Sequence, residues 1–274
     1  MIRKIFFAVF FIGVAANGLM AQEWYIPKRT EVLEKGSGEF GTKFQLTAHN
    51  DGLCDTRRLE LVPNVRYSPI RRFEIYTELP VGEVSREYIR AFQIVQDRLS
   101  GVGDLFTQVS YEAFSGTDWK SLAHLDVVVP NGKNPYDNQA SLSGGHFSAA
   151  LGVSAMKVVD PVVLFGFLGI QQPFARSFDS TGKVAPGTAF RFRFGSGISL
   201  NPKLRTSLSV SGDFTSKLNI DGEPVAGSAG TSIRFGWGLD WNVLSKYRIT
   251  MDTSFGMTPN TTNAVLVWGV TRKF

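Results

Sequence analysis

The carboxyl-terminal stretch from Thr262 to Phe274 alternates apolar and polar side chains and stops on an aromatic ring. Ala264, Leu266, Trp268 and Val270 share one face; Asn263, Thr271 and Lys273 share the other. Alternation of period two marks a strand with one greasy and one wet side. Bacterial outer-membrane β-barrels finish this way, because the closing strand runs to the periplasmic rim and its last ring reaches the interfacial girdle. The amino terminus agrees. Arg3 and Lys4 precede an apolar run from Ile5 to Ala16, and small residues lead to Ala21. This order predicts a signal peptide over residues 1–21, since a spanning helix needs about 20 apolar residues and the run is shorter.

Twelve segments share the alternation: Phe40–His49, Arg58–Tyr67, Arg72–Leu79, Asp104–Phe114, Lys120–Val129, Phe147–Met156, Val162–Ile170, Thr188–Ile198, Leu204–Phe214, Ala229–Trp241, Tyr247–Met257 and Thr262–Phe274. From the second link onward the connections run short and long in turn, except for the short last one. Outer-membrane barrels have short periplasmic turns, longer external loops and an even strand number. A soluble β-sandwich also alternates, but needs neither the loop pattern nor the aromatic end. Many segments carry ions of both signs in mid-strand, opposite an apolar face nearly free of charge. In a barrel that apolar face meets lipid and the ions line a wet lumen. The sequence therefore predicts an all-β chain: a transmembrane antiparallel up-and-down β-barrel of about twelve strands over residues 37–274. A short periplasmic segment, residues 22–36, separates it from the signal peptide. No later segment is apolar and long enough to cross as a helix, so entry into a membrane requires a closed sheet.

The expected lumen face collects Lys43, Arg58, Glu60, Arg66, Arg72, Glu74, Glu78, Glu112, Asp126, Arg191, Arg193, Arg205, Asp213, Arg234, Asp240, Arg248, Asp252 and Lys273. Two readings stand open. The ions form a salt-bridge network that props or fills the barrel, or they line a polar path whose arginine surplus favours anionic or polar solutes. Trp237, Trp241, Trp268 and Phe274 are expected in the membrane girdle, with Phe274 the handle for the barrel-assembly machinery. One stretch departs from alternation. Val84, Tyr88, Ala91, Phe92, Val95 and Leu99 recur at helical spacing, which predicts an amphipathic helix over residues 83–99 in the longest external loop. Such a helix would cap the mouth, fold into the lumen or lie over the rim.

Little in the chain points to catalysis. Cys54 is the only cysteine, which excludes an internal disulfide and a cysteine metal site; its neighbours Asp51, Gly52 and Asp55 predict a turn. His49, His124 and His146 are too scattered for metal-ligand spacing. His146 and Ser148 share a strand face, as in the His-x-Ser of outer-membrane phospholipases, but no Asn-Gly follows the serine. We expect no enzyme and no cofactor. The net charge of +5 is spread along the chain and makes no nucleic-acid stripe.

Four motifs, in order, carry a family likeness. Gly101-Val102-Gly103-Asp104-Leu105 opens a strand reaching Val109-Ser110-Tyr111-Glu112. Val127-Val128-Val129-Pro130-Asn131-Gly132-Lys133-Asn134-Pro135 ends the next one. Asp160-Pro161-Val162-Val163-Leu164-Phe165-Gly166 and the strand from Trp268 to Phe274 follow. Together they resemble the MetA-pathway-of-phenol-degradation family of outer-membrane proteins, related in broad design to hydrocarbon and fatty-acid channels, over residues 55–274. Asn131 stands where that family more often has Thr, and Arg272 where it often has an apolar or aromatic residue. The resemblance implies a transporter-like barrel for passive passage of small molecules, hydrophobic or aromatic compounds among them. Its partners would be outer-membrane lipid, the assembly machinery and a small-molecule solute. Physically, glycines beside Asp104 let the chain turn into the wall, Pro130 ends ladder pairing, and Asp160-Pro161 makes a turn.

Overall fold

A computed structural model describes residues 31–50, 54–90, 93–133, 135–136, 140–179, 181–258 and 261–274. The signal peptide expected over residues 1–21, and residues 22–30 of the periplasmic segment, lie outside the described residues. In chain order the strands are β1 (Gly38–Asn50), β2 (Cys54–Ile70), β3 (Phe73–Glu78), β4 (Val81–Arg90), β5 (Gln93–Val102), β6 (Leu105–Ser115), β7 (Trp119–Val129), β8 (Ser148–Val159), β9 (Val162–Pro173), β10 (Arg176–Phe178), β11 (Gly182–Ala185), β12 (Ala189–Asn201), β13 (Leu204–Thr215), β14 (Asn219–Ile220), β15 (Glu223–Pro224), β16 (Gly230–Leu244), β17 (Tyr247–Gly256) and β18 (Ala264–Lys273).

Twelve of these, β1, β2, β3, β6, β7, β8, β9, β12, β13, β16, β17 and β18, form a closed antiparallel ring. β1 pairs with β2 on one side and with β18 on the other, so the first and last strands seal the wall. Each of the twelve alternating segments has its own strand. Closure follows from the solvent: in hydrocarbon an open edge would leave N–H and C=O groups without partners. The outer face carries the apolar half of each alternation, with Leu61, Leu151, Ile170, Phe194, Phe255 and Val270 all exposed. Among the described residues no helix is long and apolar enough to cross a membrane.

The seam closes on the last residue. The Gly38 N–H donates to the Phe274 carbonyl at 3.0 Å, and the Phe274 N–H to the Gly38 carbonyl at 2.9 Å. The Phe274 ring lies over Gly38, and a Cβ there would fall 2.3 Å from it. Only a glycine leaves that space.

The helix expected over residues 83–99 is not formed. β4 and β5 make an antiparallel hairpin instead, with Val84 opposite Leu99 and Tyr88 opposite Val95. The reason lies in β2, whose 17 residues outrun the six of its neighbour β3. Its lower half pairs with β3 and its upper half, Cys54 to Leu61, with β4. That open ladder, with the β-branched Val84 and Val95, outweighs a helical spacing that buries little by itself. Thus β3–β4 and β5–β6 are two long strands, each broken once, at Leu79–Pro80 and at Gly103–Asp104. Cys54 starts β2 rather than lying in a turn, and its Sγ accepts from Arg86 Nε at 2.9 Å.

The loop between β7 and β8 fills the break. Buried Asp104 accepts from the Ser143 hydroxyl and from the Gly144 N–H at 2.8 Å. Ala140 and Leu142 pack on Val84 and Leu99 beneath the hairpin. Farther round, Tyr136 stacks on Phe178 at 4.6 Å, and His146 meets both rings edge-on. β10, β11, β14 and β15 make a small second sheet from the remaining external loops.

Candidate functional site

The lumen is filled on one side and hollow on the other, and inward-facing residue size explains it. β3, β6, β7, β8 and β9 point Tyr76, Phe106, Leu122, Val128, Met156 and Phe167 inward, all buried. Tyr76, Phe106 and Val128 form one cluster. His124 bridges Ser110 at 2.9 Å and Ser154 at 2.7 Å, and Gln108 donates to Asp126 at 2.7 Å. Opposite, β12, β13, β16 and β17 point glycine and serine inward among their charged residues. Register aligns Gly195, Ser209, Gly236 and Ser254 in one row, and Gly197, Ser207, Gly238 and Asp252 in the next. The space they leave is a cavity of 730 Å³ running toward the periplasmic rim.

Its lining includes ten of the residues expected in the lumen: Lys43, Arg66, Glu78, Arg193, Arg205, Arg234, Asp240, Arg248, Asp252 and Lys273. Lys43 Nζ donates to Glu78 at 2.5 Å and to the Tyr76 hydroxyl at 2.7 Å. Arg248 pairs with Asp240 at 2.9 Å. Glu60, Glu74, Asp126 and Arg191 are buried, and Arg191 reaches Asp126 at 3.7 Å. Arg58 and Asp213 are half-buried, with Asp213 opposite Arg191 in register. Arg72 sits in the periplasmic turn at φ 68, where it meets Glu112 at 3.8 Å. In one sector β6 to β9 add branched and aromatic residues to the inner face, beside the buried polar groups of Gln108, Ser110, His124, Asp126 and Ser154.

The four aromatic residues expected in the girdle are spread in height. Trp268 is exposed and stacks on Phe44 at 5.9 Å, midway along its strand. Half-buried Trp237, also mid-strand, donates its indole N–H to Thr206 Oγ1 at 3.0 Å. Trp241 and Phe274 are exposed toward the periplasmic end.

Sequence reasoning missed a strap. Residues 31–34 turn inward from the start of β1, and Glu31, Val32 and Leu33 line the cavity. The Leu33 N–H donates to Glu74 Oε2 at 2.9 Å, and Arg66 donates to the Glu31 carbonyl. Lys120, at the foot of β7, holds the Glu31 carboxylate at 2.7 Å. Arg66 also binds Glu74 at 2.5 Å and Glu39 at 3.5 Å. The strap is thus pinned from three strands, across part of the periplasmic opening. Only the charges on Glu31, Arg66 and Glu74 hinted at it.

His146 and Ser148 have separate partners: His146 Nδ1 the Phe174 carbonyl at 3.1 Å, and Ser148 the Gln171 amide at 3.3 Å. Ser148 is 1% exposed. Among the described residues no group of side chains is placed to hold a metal ion.

No known family profile matches the sequence. The fold is similar to that of an outer-membrane channel from Pseudomonas putida F1, with a TM-score of 0.77 at 14% identity over 92% of this chain and 100% of that one. It also resembles the translocator domain of the autotransporter NalP from Neisseria meningitidis, with a TM-score of 0.55 at 13% identity over 89% and 91% of the two chains. The chain is a twelve-stranded antiparallel barrel of the Gram-negative outer-membrane kind.

Proposed function

We propose that this barrel is a passive outer-membrane channel for small molecules, with apolar or aromatic compounds among its solutes. One observation carries the reading: the glycine and serine sector keeps 730 Å³ of the lumen open toward the periplasm. Protein interiors otherwise close-pack, and a purely structural barrel needs no such hollow. The motif likeness to the phenol-degradation family supports aromatic solutes, and the similar Pseudomonas protein is itself described as an outer membrane channel. Solutes would move down their gradient along the hollow side. A plugged barrel is the second reading, favoured by the packed β3–β9 sector and by the external loop anchored on Asp104. Planar-bilayer recording of the purified chain separates the two. Stepwise currents, and faster entry of phenol into protein-loaded vesicles than into empty ones, support the channel; no current and no excess entry would overturn it.

A further inference from the structure

We infer that the inner end of the lumen cavity is a binding site for an organic anion, one oxyanion head on a compact apolar body. The inference deepens the channel reading, on which it rests for the route by which solute arrives. Register defines the site. Ser154, Phe167, Arg193, Ser211 and Arg234 lie in one row across five adjacent strands. The cavity lining reaches Arg193, Ser211 and Arg234 and stops there; Arg191, Asp213 and Ser232, one row farther out, are not part of it. Two strand spacings set the Arg193 and Arg234 backbones about 10 Å apart, with Ser211 between. Long side chains from that distance can converge on one small head group.

Both arginines are buried, at 9% and 8% exposure. Arg193 lies over the Phe165 ring at 5.5 Å and donates to Ser209 at 3.1 Å, so its planar group is held in place. A preorganised guanidinium suits a carboxylate better than a mobile ammonium does. The balance of charge agrees: seven cationic and five acidic side chains line the cavity among the described residues.

The next two rows toward the periplasm supply the apolar half. Met156 and Phe165 face Gly195, and Val158 and Val163 face Gly197. A row step is about 7 Å along a strand, so a head at the arginines would place a ring-sized body against these four side chains. The Phe165 ring itself fills the space beside Gly195, and Gly197, one row on and part of the cavity lining, leaves room for the body. A Cβ on Gly197 would meet nothing nearer than 3.4 Å. A simple inorganic ion would leave this wall unused, and a neutral hydrocarbon would make no use of the two guanidinium groups.

The test is titration calorimetry on the full chain in detergent, with benzoate, benzamide and acetate as probes. Benzoate should bind at least tenfold more tightly than either of the others. Arg193→Gln and Arg234→Gln should each weaken benzoate tenfold or more, whereas Lys203→Gln, on the turn between β12 and β13, should change nothing. Gly197→Leu should remove benzoate binding with both arginines intact. That variant and the probe series decide the matter if an arginine variant does not fold. Equal affinity for benzoate and benzamide, or wild-type affinity in the folded arginine variants, overturns the site. Currents in potassium chloride are recorded separately. Benzoate binding without conduction would sink the channel reading alone, and conduction without benzoate preference would sink this one alone.

Discussion

Glu74→Ala probes how the strap is held. The Glu74 carboxylate accepts from Arg66 Nε at 2.5 Å through one oxygen and from the Leu33 N–H at 2.9 Å through the other. Removing one member of a buried ion pair costs about 3–5 kcal/mol, because the other charge stays behind. Arg66 keeps Glu39 at 3.5 Å and the Glu31 carbonyl, so the loss should fall near the lower bound, about 3 kcal/mol. The Leu33 bond is charge-assisted and contributes about 1.5–3 kcal/mol, which is roughly 10- to 100-fold in strap attachment. Urea unfolding of the barrel in lipid vesicles should register the stability loss as a lower midpoint. Bilayer currents should show longer or larger openings, because residues 31–33 no longer obstruct the cavity. Glu74→Gln keeps an oxygen for Leu33 and should lose stability with less change in current. An unaltered midpoint together with unaltered currents in Glu74→Ala would refute the account of the strap.

Gly38→Ala should displace the Phe274 ring and cost about 1–3 kcal/mol of strain, read in the same urea titration; deleting Phe274 should lower the amount inserted while export continues, read by membrane fractionation. Asp104→Ala removes the acceptor for Ser143 and Gly144 and should expose residues 131–146 to protease, with about 1–3 kcal/mol of local loosening. Val153→Arg, on the lipid face of β8, should cost about 2–4 kcal/mol near mid-membrane, measured by refolding into vesicles. Burial, with Arg176 nearby, holds the His146 imidazole below its ordinary pKa, against the hydrogen bond to Phe174 and the charge on Asp104. The folded loop therefore binds fewer protons than the unfolded one. Its stability should be full above about pH 6.5 and decline as the pH falls below that, an effect His146→Gln should flatten in hydrogen exchange of the Tyr136–Phe178 cluster.

The wall was legible because a membrane barrel writes its two solvents into alternate residues. Phe190, Phe192 and Phe194 against Arg191 and Arg193 announce their faces without any partner strand. The lumen was less legible, since its shape depends on which rows align. Gly195, Ser209, Gly236 and Ser254 look unrelated in the sequence and become one surface only through register. The signal that could have found it was the run of small inward residues on β12, β13, β16 and β17. Residues 83–99 misled because Val84, Tyr88, Val95 and Leu99 fit a helix, while the reason for a hairpin sits elsewhere, in the upper half of β2, which extends past β3 and pairs with β4. The strap escaped because its partners lie on β2, β3 and β7, far away in the chain.

β5 hydrogen-bonds to β4 alone among the described residues, so its far side is a bare sheet margin. Hydrocarbon does not tolerate such a margin, and water does. The waterline on that flank must therefore fall at or below Pro80 and Gly103. The span beneath agrees: the 11 residues of β6, at about 3.4 Å each and tilted about 40°, climb roughly 28 Å, close to an apolar band about 25 Å tall. How deep the molecule floats on this flank is thus fixed by the unfinished selvedge of β5.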